Sequence, residues 1–303
     1  MPWFSQQNKS HENIGGKRIN SYHSKPNTFA SHVHLKVENL SRTLEFYQDL
    51  MGFQVLNQSG KKAVLTANGI TPLLTIEQPE DVIPKQMRTT GLYHYALLLP
   101  TRKDLGKLIT HLLNEQYPLQ GASDHGTHDA LYFADPDGNG IEVAVDTDPS
   151  TWYDKTGKLD ISKNGPMDVE SVIAEANGER WNGIPEGTII GHIHLHVSDL
   201  EKTKEFYHDG LGLDIVIEIP NQAIFFSSGG YHHHIGTNIW NGKNAPKPTS
   251  NSVGMLFYTL VIANEETRKS LVVKLEAMGY RVIEDNGELF TEDPSGNRIH
   301  LCS

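Results

Sequence analysis

Residues 30–53, ASHVHLKVENLSRTLEFYQDLMGF, align without a gap with residues 190–213, IGHIHLHVSDLEKTKEFYHDGLGL, at an offset of 160. His32 falls on His192, His34 on His194, and Phe46-Tyr47 on Phe206-Tyr207. A second pair follows. GLYHYALLL at 91–99 resembles GMLFYTLVI at 254–262, and LYFADPDGNGIE at 131–142 resembles LFTEDPSGNRIH at 289–300. The chain therefore consists of two similar halves, each holding two different segments. A repeat of this kind restricts the fold to copies of one small unit that bury their apolar faces against each other.

Each segment has the same grammar. In the first, alternation over 32–37, matched at 192–197, predicts a strand with two distinct faces. Asn39 or Asp199 then stands in a helix-capping position. Leu40, Leu44 and Tyr47 recur at helical spacing, and Gly52 or Gly212 ends the helix. Short strands are expected at 54–58, 63–67 and 73–77, giving β-α-β-β-β. The second segment offers a strand at 93–99, a helix near 103–116, and strands around 130–134 and 140–145. The turn-forming run Asp135-Pro136-Asp137-Gly138-Asn139 lies between those last two. The predicted class is α+β, with four βαβββ modules. The divisions expected are a flexible N-terminal extension over 1–30, a first domain of modules one and two over 31–146, a linker over 147–188 with a short helical run near 169–176, and a second domain of modules three and four over 189–303.

The 303 residues carry a net charge of −11, which argues against a nucleic-acid partner, since such a partner calls for a basic patch. No apolar run approaches the roughly 18–20 residues that span a bilayer, and the polar N-terminus does not read as a secretory signal. The single cysteine, Cys302, has no partner within the chain for a disulfide and cannot by itself build an iron–sulfur or structural zinc site. A cytoplasmic location is expected.

The opening of each first module, a histidine on a strand followed by Asp/Asn-Leu, Phe-Tyr and Leu-Gly or Met-Gly, resembles that of the vicinal oxygen chelate superfamily. This superfamily includes glyoxalase I, bleomycin-resistance proteins and type I extradiol dioxygenases. The resemblance covers about residues 30–302. It implies two U-shaped mixed sheets, each built from a pair of modules, with a metal in a concave cleft. The segment from Tyr132 to Glu142 is more specifically similar to the late motif of catechol 2,3-dioxygenases, where the tyrosine contacts substrate and the glutamate binds iron. Gly230-Tyr231-His232-His233-His234 looks like that family's His-rich strand, which carries an acid–base histidine. Asp124-His125-Gly126 resembles a further substrate-side segment, although His125 lies closer to Tyr132 than the family pattern sets it.

What the resemblance implies is a facial set of two histidines and one carboxylate, leaving open positions on Fe(II), or on Mn(II), for an aromatic diol and O2. His94 matches Phe257, Glu142 matches His300, and Tyr132 matches Phe290. Module two thus retains groups that module four lacks, and His94 and Glu142 are the expected ligands. The third ligand is His32 or His192. If the His-rich strand serves the same cleft, module three must face module two, which favours His192. His194 shares that strand face and is expected on the substrate side, as are His125 and His233. Strand alternation admits only one of His233 and His234 to the cleft, and His234 is taken as the acid–base residue, with Tyr132 beside it. The predicted activity is Fe(II)-dependent opening of catechol or a substituted catechol to a semialdehyde. The alternatives weighed are hydroquinone cleavage, a glyoxalase-like metal isomerase and a metal-free protein that binds aromatic drugs. The sequence leaves the oligomeric state open, a homo-oligomer being only the base-rate case.

Overall fold

The structure, a computed structural model, describes residues 21–303. Residues 1–20 of the N-terminal extension expected over 1–30 lie outside the described residues. Module one runs β1 (Phe29–Lys36), α1 (Leu40–Glu45), β2 (Gln54–Ser59), β3 (Lys62–Thr66) and β4 (Pro72–Glu77). Module two runs β5 (Gly91–Leu98), α2 (Arg102–Asn114), β6 (Gly121–Asp124), β7 (His128–Ala134) and β8 (Gly140–Asp146). The linking segment holds β9 (Gly165–Pro166) and α3 (Val169–Glu175). Module three is β10 (Ile189–His196), α4 (Leu200–Lys204), β11 (Asp214–Ile219), β12 (Ala223–Ser227) and β13 (Ile235–Asn238). Module four is β14 (Gly254–Val261), α5 (Glu265–Ala277), β15 (Val282–Asp285), β16 (Glu288–Glu292) and β17 (Arg298–Cys302).

The local signals act as their chemistry predicts. The Asn39 side chain accepts from the Arg42 N–H at 3.0 Å, and Asp199 accepts from the N–H groups of Glu201 and Lys202 at 3.0 and 3.1 Å. Each satisfies donors that a helix start leaves open. Both helices then widen into a single π-type turn, Phe46–Leu50 and Glu205–Gly210, before Gly52 and Gly212 reverse the chain at φ of +80° and +74°. Asp135 closes the turn between β7 and β8 by accepting from the backbone N–H groups of Asp137 and Asn139 and from the Asn139 amide at 2.8–2.9 Å. Asp293, Ser295 and Asn297 repeat this turn in module four.

The sheets do not follow chain order. One has the order β15-β16-β17-β14-β1-β4-β3-β2 and joins modules four and one; the other, β11-β12-β13-β10-β5-β8-β7-β6-β9, joins modules three and two. The seams are antiparallel pairs, β1 with β14 and β10 with β5. Both sheets are mixed, because the first strand of each module runs parallel to its last. The α+β architecture expected from the repeat is therefore present. Consecutive modules meet through their cores instead. The hydroxyls of Tyr47 and Tyr95 are 2.8 Å apart, and those of Tyr207 and Tyr258 are 3.3 Å apart, all in fully buried positions. Alternate strand residues (Val33 and Leu35, Tyr95 and Leu97, Ile193 and Leu195, Ile141 and Val143) are fully buried in this common core. Their neighbours on the other face line the cleft of each sheet.

Gly140 marks where the second sheet is tightest. It sits opposite His94, and an added Cβ would lie 2.0 Å from the Tyr93 carbonyl oxygen and 3.2 Å from the His94 Cβ. Backbone cannot yield as a flexible side chain can, so Gly140→Ala forces β5 and β8 apart. Overpacking of this kind costs about 1–3 kcal/mol. Thermal unfolding of the variant is expected to begin at lower temperature, and an unchanged melting curve would show that the strand pair is looser than its geometry implies.

Candidate metal centre

Four adjacent strands of the second sheet carry a row of facing residues: His192 on β10, Ala96 on β5, Glu142 on β8 and Tyr132 on β7. Ala96 has almost no side chain, so the space above it is left open. His94, two residues before Ala96 on the same strand face, reaches into that space. The ligand atoms of His94, Glu142 and His192 all lie within 4.8 Å of one another. Glu142 Oε2 is 3.0 Å from His94 Nε2 and 3.3 Å from His192 Nε2.

These short distances are not hydrogen bonds. His94 Nε2, His192 Nε2 and Glu142 Oε1 are buried and have no hydrogen-bond partner. A folded chain rarely leaves even one such atom orphaned, and here three belong to three residues whose ligand atoms come together. The residue types complete the test. Two imidazole nitrogens and a carboxylate oxygen form the facial donor set that divalent iron or manganese accepts, so the site fits a metal.

The electrostatics agree. Burial alone pushes the Glu142 carboxyl up, but His192, His128 and His94 around it outweigh that and hold it well below the usual carboxylate range. Glu142 is therefore ionised. Burial lowers His192 below the ordinary imidazole value, and it holds His194, His232 and His233 well below it. Neutral imidazoles keep the lone pair that a metal needs.

Around the three lie the other residues singled out in the sequence. Tyr132 shares a 2.7 Å hydrogen bond with His125 Nε2 and stands 5.5 Å, centroid to centroid, from His94. Burial and the neighbouring Glu142 raise the Tyr132 phenol above its ordinary value, so it stays protonated. His194 packs edge-on against His94 at 4.9 Å, and its Nε2 is 3.0 Å from the Asn238 amide nitrogen. His233 lies against His192, with ring centroids 4.1 Å apart.

His234, expected to be the acid–base residue, is placed elsewhere. Its Nδ1 is 3.2 Å from the Ser228 N–H, its Nε2 is 3.2 Å from the Tyr22 carbonyl, and its ring neighbours are His23 and Tyr231. The reason is local. Residues 232–234 are not a strand; they form the end of a loop in which Gly229 and Gly230 take φ of +65° and +78°. Strand alternation does not hold there, so His232 and His233 both turn toward the site. His32, the alternative third ligand, lies in the other sheet, with its Nε2 2.8 Å from Thr75 Oγ1.

Two neighbours escaped the sequence reading. His128 Nε2 is 3.2 Å from Glu142 Oε1, and its ring stacks on His232 at 4.6 Å. It stands four residues before Tyr132 on β7, hence on the same face, but a strand taken to begin at residue 130 excludes it. Tyr93 is the second. The pairing of β5 with β10 skips it: His194 is opposite His94, and Leu195 is opposite Leu92. Such a bulge re-aims a side chain. The Tyr93 ring consequently stands 4.8 Å from His94, 5.1 Å from His194 and 5.3 Å from the half-exposed Trp240.

Comparison with known proteins points to a superfamily that includes dioxygenases. The family model described as the Glyoxalase/Bleomycin resistance protein/Dioxygenase superfamily matches residues 30–143 and 189–301. The chain belongs to this superfamily. Within the superfamily, a catechol-2,3-dioxygenase of Bacillus subtilis (strain 168) is 42% identical over 270 residues, covering 88% of this chain and 94% of that protein. A biphenyl-2,3-diol 1,2-dioxygenase 3 of Rhodococcus globerulus is 26% identical over 165 residues, covering 52% of this chain and 85% of that protein. Among solved structures, glyoxalase I from Zea mays aligns with a TM-score of 0.56 at 15% identity, over 90% of this chain and 92% of that one, which supports the superfamily fold. None of the helices among the described residues is long and apolar enough to cross a membrane.

Proposed function

We propose that this chain is an Fe(II)-dependent extradiol dioxygenase that opens catechol, or a substituted catechol, with O2 to a semialdehyde. The observation that carries the reading is the buried set of His94, Glu142 and His192, whose ligand atoms lie within 4.8 Å of one another, in a chain 42% identical to a catechol-2,3-dioxygenase. Mn(II) accepts the same donors and is the alternative metal.

His94, Glu142 and His192 would hold a divalent iron, which would supply binding for a catecholate and for dioxygen. The protein's own groups do the rest. Two neutral imidazoles and one carboxylate leave residual positive charge at the centre, which favours the ionised form of the diol. His233, neutral and in contact with His192, is placed to take a proton from the diol and to return it later. Protonated Tyr132 offers a hydroxyl beside His94, and His125 orients it. His194, packed on His94, keeps that ring in place. Tyr93 and Trp240 form an aromatic wall at the exposed edge of the cluster, suited to a planar ring. All three ligands come from one chain, so a homo-oligomer is not needed to complete the site. The reading fits a cytoplasmic enzyme.

Anaerobic reconstitution with Fe(II), followed by air and catechol, tests this. Yellow semialdehyde formed with matching oxygen uptake is the expected result. Tightly bound iron without turnover would shift the reading to a different ring, such as a hydroquinone. Failure to bind any divalent metal would leave a binding protein in place of an enzyme.

A further inference from the structure

Beyond the cluster, a second acid stands behind the histidines of the loop. Asp146 ends β8, four residues after Glu142. Its Oδ1 is 3.0 Å from His232 Nε2 and 3.1 Å from the Tyr231 hydroxyl. His232 Nδ1 is in turn 2.9 Å from His233 Nδ1. The side chains thus form a line from Asp146 through His232 to His233, which lies on His192.

Hydrogen-bond chemistry gives this line a direction. Asp146 Oδ1 accepts from the Tyr231 hydroxyl and acts as an acceptor toward its second partner too, so the nitrogen facing it, His232 Nε2, carries the hydrogen. A neutral imidazole has a single N–H, so His232 Nδ1 is left as an acceptor. Its partner, His233 Nδ1, must then be the donor. That leaves the lone pair of neutral His233 on Nε2. His232 is held neutral by its surroundings. It is buried, stacked on His128, edge-on to Trp152 at 5.1 Å and close to His192, His23 and Glu142, with burial as the main cause.

We infer that Asp146 is a positioning residue: acting through His232, it fixes the proton of His233 on Nδ1 and so leaves Nε2 as the nitrogen that receives the substrate's proton. The inference rests on the proton-handling role proposed above for His233. The surrounding structure is built to hold the line. Thr147 anchors the end of β8 through its N–H to the Thr127 carbonyl at 3.0 Å and its hydroxyl to the Gly126 carbonyl at 2.9 Å. Trp152, from the linking segment, donates to Thr147 Oγ1 at 3.0 Å and covers Tyr231 and His232. Tyr153 donates to the Gly230 carbonyl at 2.7 Å and pins the loop. Module one connects its third and fourth strands through residues 67–71 only, and has no counterpart of the longer loop at 228–234. The device therefore belongs to the cleft that holds the metal-type donors.

The test reads proton position directly. Full-length protein labelled with nitrogen-15 histidine, in metal-free and Zn(II)-loaded forms, is examined by long-range proton–nitrogen correlation, with ring signals assigned from His232→Gln and His233→Gln. The expected spectrum shows His232 protonated on Nε2 and His233 on Nδ1. In Asp146→Ala the His233 Nδ1–H form loses its dominance. With Fe(II) bound, kcat for catechol falls about 10–100-fold, as the loss of an orienting partner typically does, while KM moves less than about threefold, the pattern of an interaction used in the chemical step. Asp146→Asn keeps an acceptor oxygen and is expected to keep the wild-type tautomers and most of kcat. Wild-type His233 protonated on Nε2 would overturn the inference, as would an Asp146→Ala variant with unchanged tautomers. The wild-type spectrum decides even if Asp146→Ala does not fold. Absence of catechol turnover by wild type with the expected tautomers would count against ring opening and not against the role of Asp146.

Discussion

Glu142→Ala is expected to lose both divalent-metal binding and turnover while keeping the fold. Removing an outer partner of a metal ligand typically costs about 10–100-fold in affinity or activity, and removing the only carboxylate among the three donors must exceed that. The fold should survive because the pairings of β8 with β5 and β7 run through backbone groups and do not depend on the Glu142 side chain. Desolvating it is unfavourable, so its loss removes a cost as well as a contact. Glu142→Gln separates the two effects, since it keeps the volume and removes the charge. In thermal melts, wild type with metal at a hundredfold excess over Kd gains about 2.7 kcal/mol, whereas both variants should melt at the same temperature with and without metal. A variant that still binds iron and still consumes oxygen with catechol would show that the three residues are not the centre.

How much of this could be read from the chain depends on the residue. The four modules were legible because 30–53 and 190–213 align without a gap and the DPDGN turn recurs as DPSGN. His94 and Glu142 stood out by internal contrast: the equivalent positions in module four are Phe257 and His300. The partnership of module three with module two was legible only indirectly, through the position of the histidine triplet. What escaped was local irregularity. The four-residue β6 is too short to show a period, and His128 was lost because β7 begins two residues earlier than its apolar pattern suggests. A period of two does not hold at the histidine triplet, because two glycines at positive φ carry it off the strand and send His234 toward Tyr22. Tyr93 was invisible for a related reason. A bulge depends on the register between two strands, and a single strand's sequence does not record it.

The sister cleft shows what the repeat has changed. There the row corresponding to His192, Ala96, Glu142 and Tyr132 is His32, Thr259, His300 and Phe290. Thr259 fills the gap that Ala96 leaves open, and its hydroxyl is 3.1 Å from His300 Nδ1. His300 Nε2 is 2.7 Å from Glu288, and His34 Nε2 is 3.0 Å from Glu77. Phe257 stands where His94 would be, between the rings of His34 and His300. The histidines of this cleft are engaged with hydroxyls and carboxylates, and the ligand-type carboxylate is missing from the row. The same backbone thus carries one cleft with converging donors and one whose side chains satisfy each other.

His192→Ala should therefore abolish iron binding and turnover, whereas His32→Ala should leave both largely intact. The two residues occupy equivalent positions on β10 and β1 and are equally buried, so a general cost of deleting a buried strand histidine is shared by both variants. For His32 that cost is the loss of a hydrogen bond to Thr75 and the exposure of its partner, about 1–3 kcal/mol. For His192 the change also removes one of three converging donors and takes away the ring on which His233 rests. Metal content of the purified variants and oxygen uptake with catechol would rank them, with thermal melts of the metal-free forms controlling for stability. The opposite ranking, with His32→Ala inactive and His192→Ala loaded with iron, would place the working centre in the sheet of modules four and one, against the convergence of His94, Glu142 and His192.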